Sequence, residues 1–372
     1  MKIVEIDTHQ RRQVKQFLDL PFRVYAGTPQ WVPPMGIDAR HALDCKRHPF
    51  YQHGAASFLL ALENEKPVGR LAVIENENFN RFHNKRTAFF YFFECENNPD
   101  VAQALFEKGF DWARKRNLDR ITGPKGLTVF DGIGLLVKGF EHRPAFGQPY
   151  NLSYYPALLE AAGFCPSHDL VSGYLDQTIQ FPEKIHEIAG LLIKRRGLHV
   201  ARFKTRNDLR ALIPHLKDLY NASLEGTQDN TPLTDEDAKG MGEQLLWFAD
   251  PSLIKIVMKD DQPVGFLFAY PDVSAAIQKT RGKIFPLGWF WLLRELRHTK
   301  WININGVGMA EGYRGLGGTA LLFSEMFRSV VESRYRHADL VQIGTENAIM
   351  LRELHDLGID FYKMHRIYER QL

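Results

Sequence analysis

Cysteine is scarce in this chain. Cys45, Cys95 and Cys165 are the only three in 372 residues, an odd number at wide spacings, so no disulfide framework is expected and a reducing, cytoplasmic compartment fits. Long apolar runs are missing too. The stretch from Ile284 to Leu293 reaches ten residues before Arg294 and Glu295 close it, about half of what a membrane-crossing helix requires. The first residues, Met1 to Arg12, carry charges where a secretion signal has an apolar segment. Charge of one sign is also lacking. Forty-seven Lys and Arg against forty-four Asp and Glu leave +3, too little for a nucleic-acid surface, and Lys194-Arg195-Arg196 reads as a solvated helix end. His41, Cys45, His48 and His53 are zinc-ligand types, but their spacing fits no finger and Pro49 interrupts any shared helix face, so no metal site is expected.

What the chain does contain is a globular composition, 44% hydrophobic and 24% charged, and enough length for two domains. Its most informative stretch runs from Trp301 to Val331. An apolar strand (Trp301, Ile302, Ile304, Val307, Met309) enters a glycine-rich turn, Gly312 to Thr319. A helix follows, with Leu321, Leu322, Met326, Phe327, Val330 and Val331 on one stripe. The first N–H groups of a helix have no internal partners and its dipole favours an anion there, so this turn is a phosphate-binding candidate. A Walker A loop, G-x-x-x-x-G-K-[ST], fits Gly312 to Thr319 except that Gly318 replaces the lysine, which argues against an ATPase. A dinucleotide glycine pattern fails at Glu311.

The rest of the chain reads as a duplication. The first half gives a strand at Lys2 to Ile6, a helix from Thr8 to about Ala26, and an extended Trp31-Val32-Pro33-Pro34 segment packing on the first domain. A hairpin (Ala56 to Glu63, Pro67 to Glu75), a strand to Cys95 and a helix from Pro99 to Arg116 follow. After a short strand at Arg120 comes a loop holding Gly132-Ile133-Gly134, a helix ended by Gly163, and a strand from Leu170 to Leu175. A connecting helix then leads to a second half of the same order. Pro67-Val68-Gly69 and Pro263-Val264-Gly265 occupy equivalent hairpin arms, and about ninety-four residues separate each from a helix-ending glycine, Gly163 or Gly358. The expected boundaries are 1–178, a connecting helix at 179–197, and 198–372 with an insertion at 273–300.

Arg314 to Thr319 resembles the [QR]-x-x-G-x-[GA] loop of the GNAT acyltransferases, with Thr319 in place of the final small residue. The element order of each half also resembles that fold. The resemblance implies an α/β (α+β) chain of two tandem GNAT-like acyl-CoA N-acyltransferase folds, each a mixed twisted sheet flanked by helices, as in a group of bacterial tandem-GNAT proteins. It further implies that acetyl-CoA or a longer acyl-CoA is co-substrate and a small-molecule amine the acceptor. The cofactor positions it carries over are Val307, Gly308 and Met309 on the strand, Arg314, Gly315, Leu316, Gly317, Gly318 and Thr319 in the loop, and Asn347 at the start of the next helix. GNAT domains often place a tyrosine acid about four residues before the helix-ending glycine, where this chain has Leu354; the nearby acid candidates are His355, Tyr362 and Tyr368, and the base candidates are Glu346 or a water held by Asn303 or Asn305. A non-catalytic sensor of CoA or an acylated metabolite is the alternative function.

The two halves are not equivalent in chemistry. At the matching turn the first half reads Glu94-Cys95-Glu96-Asn97-Asn98-Pro99-Asp100, without glycine or arginine, so it is expected to have lost the cofactor, its carboxylates repelling a diphosphate. The insertion crowds Phe285, Leu287, Trp289, Phe290, Trp291, Leu292 and Leu293 between basic flanks. It reads as a helix packed on the other domain, as an acyl-chain lid, or as a peripheral membrane contact through 284–293.

Overall fold

The computed structural model describes residues 1–128, 131–176, 178, 183–223, 231–314 and 317–372. In the first repeat β1 (Lys2–Glu5) is followed by α1 (Arg11–Asp19) and α2 (Pro21–Val24). The expected single helix is divided at Pro21, which lacks the N–H a helix interior needs and so opens a new one. Then come α3 (Gly36–Ala42), β2 (Gly54–Glu63), β3 (Lys66–Asn76), α4 (Glu77–His83), β4 (Thr87–Cys95), α5 (Pro99–Lys115), β5 (Arg120–Gly123), β6 (Leu135–Lys138), α6 (Tyr155–Ala161) and β7 (Cys165–Asp176). The β2–β3 turn places Asn64 and Glu65 at φ 47° and 61°, the left-handed pair that a tight hairpin demands.

The second repeat comprises α7 (Glu183–Arg196), β8 (Leu198–Ala201), α8 (Arg206–Arg210), α9 (Ile213–Ser223), α10 (Asp235–Phe248), β9 (Ile254–Lys259) and β10 (Gln262–Pro271). It continues through α11 (Ser274–Thr280), α12 (Gly288–His298), β11 (Trp301–Met309), α13 (Gly318–Val331), β12 (His337–Gly344), α14 (Ala348–Asp356) and β13 (Asp360–Gln371).

Two compact units result, and neither is one continuous stretch of chain. The first contains Met1–Val171, Ser274–Leu292 and Tyr362–Leu372; the second contains Ser172–Val273 and Leu293–Phe361. In the first, strands run in the order β1-β2-β3-β4-β5-β13, with β6 also on β13. Only β4 and β5 are parallel among these pairs, as expected where a helix crosses over between them. Leu105, Phe106 and Phe110 of α5 cover one face against Leu71, Phe90 and Ile121, and Phe17 of α1 covers the other against Phe58 and Phe89. Trp31 stacks on Tyr25 with ring centroids 4.7 Å apart. The second unit orders its strands β12-β11-β10-β9-β8, with Leu321, Leu322 and Met326 of α13 packed on Leu267, Ile302, Ile304 and Leu340.

The units exchange their final strands. Tyr368 on β13, fully buried, belongs to the core of the first unit, where Tyr368 to Gln371 pair with Gly123 to Arg120. Ser172–Asp176 of β7 belong to the second, where the Ser172 hydroxyl accepts from the Gln342 N–H at 3.2 Å.

A buried histidine on the exchanged strand gives a pH prediction. His365 is 1% exposed, its Nε2 lies 3.1 Å from the Pro149 carbonyl, and its Nδ1 has no partner among the described residues. Burial, aided by Lys363, pushes its pKa down to about 4 against the Pro149 bond. Below about pH 6.5 the unfolded chain takes up a proton that the folded chain refuses, so stability falls as pH drops toward 4. From pH 7 to 5 this one group accounts for about 2 kcal/mol. Urea unfolding at the two pH values is expected to show that loss in the natural chain and a smaller one in His365→Gln.

Candidate functional site

The site is built where two parallel strands part. β11 and β12 pair from Trp301↔His337 to Ile304↔Leu340 and no further. Beyond that point β11 stays with β10 alone, through Val307↔Leu267, Gly308↔Phe266 and Met309↔Gly265. A bulge between these two stretches carries Gly306 at φ 107°, a conformation cheap only for glycine. Among the described residues, no strand pairs with β11 on that side from Asn305 onward.

β11 leads through the glycine-rich turn to the start of α13. Gly317, at φ 90°, caps that helix without a side-chain hydrogen bond, so among the described residues no side chain caps the first N–H groups of α13, the groups that suit an anion. Local crowding explains the neighbouring glycines. A Cβ on Gly318 would lie 2.4 Å from the Met309 methyl, and one on Gly308 would lie 2.7 Å from Ser223 Cβ. Arg314 sends Nε to the Met309 carbonyl and Nη2 to those of Ala222 and Ser223, each at 3.1 Å. Its guanidinium thus closes the carbonyl end of α9 and holds the turn, and backbone donors are left to meet the anion. Gly315 and Leu316 lie outside the described residues.

The other expected residues are scattered. Val307 and Met309 pack into the core of the second unit. Asn347 caps α14, its Oδ1 accepting from the Met350 N–H at 3.1 Å. Glu346 is exposed just after β12. His355 is 80% exposed in the last turn of α14, about 12 Å along the helix from Asn347. Tyr362 falls in the first unit, its ring 4.7 Å from that of His142. Leu354 is fully buried core.

A polar row on β10 and β11 was only half visible in the sequence. Asn303 and Asn305 alternate with the core residues Ile302 and Ile304, so they face away from α13. Asn305 Nδ2 donates to the Tyr270 hydroxyl at 3.2 Å, and Asn303 Nδ2 to Asp272 Oδ1 at 3.4 Å. Burial pushes the Tyr270 pKa up to about 12, so at neutral pH the phenol keeps its proton and is suited to donate one. The signal for Tyr270 was its place opposite Asn303 in the β10–β11 register, which no local pattern displays.

The first unit repeats this geometry and then closes it. β4 and β5 pair only from Thr87↔Arg120 to Phe89↔Thr122, and a bulge with Phe92 at φ 49° matches that at Gly306. The registers Gly69↔Cys95 and Gly265↔Met309 make Glu94 the counterpart of Gly308 and Arg70 that of Phe266. Tyr155 OH accepts the Cys95 N–H at 3.2 Å and Tyr154 OH donates to its carbonyl at 2.7 Å. Glu94 Oε2 accepts from Tyr25 and Tyr155, both at 2.7 Å, while Arg70 Nη2 stands 3.6 Å from Oε1. Burial raises the Glu94 carboxyl above the usual carboxylate range, opposed by Arg70 and the tyrosine hydroxyls. Asn98 Oδ1 caps α5 at the N–H groups of Asp100 and Val101, 3.1 and 3.4 Å away.

No protein-family model matches the chain. Among solved structures it superposes on a tandem GNAT protein from the clavulanic acid biosynthesis pathway, covering all of this chain and 98% of that one with a TM-score of 0.58 at 14% identity. The fold is that of the tandem GNAT proteins. A GCN5-related N-acetyltransferase from Sphaerobacter thermophilus gives a TM-score of 0.52 at 14% identity, over all of this chain and 95% of its own. Two curated sequences are also similar along nearly their whole length. Protein YghO of Escherichia coli is 26% identical over 97% of this chain and 94% of its own. The bacterial ceramide synthase of Caulobacter vibrioides is 27% identical over 97% of this chain and 95% of its own. The tandem GNAT architecture expected from the glycine loop and the internal repeat is thus the observed one. Among the described residues no helix is long and apolar enough to cross a membrane.

Proposed function

We propose that this protein is an acyl-CoA-dependent N-acyltransferase with one CoA site, at the β11/β12 opening of the second unit. The observation that carries the reading is the β11 edge, unpaired beyond Ile304 among the described residues, leading to an α13 N-terminus without a side-chain cap. The N–H groups of Gly318 and Thr319 fit the diphosphate of CoA, and the edge from Asn305 to Met309 fits its amide-rich arm. In the reaction the amine nitrogen attacks the thioester carbonyl, the C–S bond breaks, the amine loses a proton and the thiolate gains one. The Tyr270 phenol is assigned to the thiolate, and Asn303 and Asn305 to a water that takes the amine's proton. Glu346 is the exposed carboxylate through which that proton leaves.

The name of the Caulobacter relative supports one substrate class. A ceramide is a long-chain amino alcohol acylated on nitrogen, so the pair proposed here is a fatty acyl-CoA and a long-chain 2-amino alcohol. The compartment proposed is the cytoplasm, in keeping with the free thiols of Cys45, Cys95 and Cys165. A sensor without turnover is the second reading, favoured by the wide separation of Glu346 and His355 and by Leu354 in the core. Release of free CoA thiol from palmitoyl-CoA and from acetyl-CoA, with sphinganine and with a panel of short amines, separates the readings. Amine-dependent release with an N-acyl product by mass is expected, larger with palmitoyl-CoA and sphinganine. Saturable CoA binding with no release for any amine selects the sensor.

A further inference from the structure

The surface of the first unit points to a second partner that the acyl-transfer site does not use. Four of the thirteen large apolar side chains exposed among the described residues fall between 285 and 290. Phe285, Leu287, Trp289 and Phe290 are 74%, 66%, 47% and 49% exposed, although each would gain by leaving water. They stand on a fastened support. Gln278 Nε2 holds the carbonyls of Pro29 and Trp31 at 2.8 and 2.9 Å, the Gly36 N–H meets the Gly282 carbonyl at 2.9 Å, and Ser274 Oγ meets that of Pro144 at 3.3 Å. Lys279 sits over the Trp291 ring at 3.2 Å, which keeps that indole down while Trp289 and Phe290 face outward.

Charge selects the occupant. From Ser274 to His298 there are five Lys and Arg (Lys279, Arg281, Lys283, Arg294, Arg297) and one acid, Glu295, hence 5 − 1 = +4, whereas the whole chain carries +3. The remaining residues therefore sum to −1, so the excess of positive charge lies in this stretch of the sequence. Lys279, Arg281 and Lys283 are all exposed beside it. A second copy of this chain in a two-fold interface would set +4 against +4, a repulsive arrangement. An anionic lipid surface supplies the opposite charge and an apolar phase for tryptophan and phenylalanine at the headgroup level.

We propose that the segment 284–293 is a peripheral anchor that seats the protein on anionic membranes, its apolar side chains in the interface and its lysines and arginines on the headgroups. This inference stands on the surface alone, so it holds or fails independently of the proposed reaction. The test is co-sedimentation of the full chain with vesicles of phosphatidylcholine alone and with about 30% phosphatidylglycerol added. Binding to the anionic vesicles is expected, roughly tenfold or more above that to neutral ones, and reduced by high salt. The double variant Trp289→Ser/Phe290→Ser, at exposed positions that leave circular dichroism and melting unchanged, is expected to lower the partition coefficient by about tenfold or more. Absence of binding to anionic vesicles, or equal binding by natural chain and folded double variant, overturns the proposal. So does a concentration-dependent dimer that the double variant dissolves, because the patch would then be a contact between copies.

Discussion

Thr319→Asp is expected to weaken CoA binding about a hundredfold while leaving the protein as stable as before or slightly more so. Thr319 is the second residue of α13 and half-buried beside the uncapped N-terminus. A carboxylate in the first turn is favoured by the helix dipole, by about 0.3–1 kcal/mol. The same carboxylate standing about 6 Å from a bound diphosphate opposes it by about 3 kcal/mol at an effective dielectric near 20, which is about two decades in affinity. Stability and binding thus move in opposite directions, so loss of binding cannot be mistaken for unfolding. Gly317 and Gly318 are poorer places for the test, the first because of its positive φ and the second because a Cβ would strike Met309. Calorimetric titration with CoA and a thermal melt measure both quantities, and unchanged affinity in a folded variant removes the loop from the site.

The second large effect belongs to the closed counterpart. Glu94→Ala is expected to destabilise the protein by about 3–5 kcal/mol, because it strands Arg70, 3% exposed, without its counter-charge. It also takes the acceptor from the hydroxyls of Tyr25 and Tyr155. Combining it with Arg70→Met is expected to restore much of the loss, since neither charge is then left alone in an apolar site. Arg70 also donates to the Phe17 carbonyl at 2.9 Å, so recovery stays incomplete. Urea unfolding of the four proteins in the cycle checks this. Additive losses would mean that the two side chains do not form one buried unit, and CoA affinity is expected to stay unchanged in all four.

The order of strands and helices was legible because apolar alternation, proline and glycine report local geometry. Pro67-Val68-Gly69 and Pro263-Val264-Gly265 fall on β3 and β10 with equivalent registers opposite β4 and β11. The strand exchange was not legible, because the order of elements is the same whether β13 pairs beside β5 or in its own half; the choice depends on long-range pairing. The closure of the first unit's turn was only partly legible. Glu94, Glu96 and Asp100 read as repelling a diphosphate, but Glu94 is held inside by Arg70 and two tyrosines, and Glu96 pairs with Arg23 at 2.8 Å. What closes the turn is Tyr154 and Tyr155, sixty residues away, occupying the Cys95 backbone groups, together with Asn98 as cap. Arg314 was legible as part of the loop, but not as the side chain that ties it to α9, since α9 lies some ninety positions earlier.

We infer that the duplicated fold keeps one CoA site. Because β13 completes the first unit, a fragment ending near Gln177 would lack Tyr368 from its core, so the full chain is the proper subject. Calorimetric titration of the full chain with CoA is expected to give one site per molecule, lost in Thr319→Asp and kept in the Glu94→Ala/Arg70→Met pair. Two sites per molecule, or one site that survives Thr319→Asp and disappears when Glu94 and Arg70 are replaced, would contradict it.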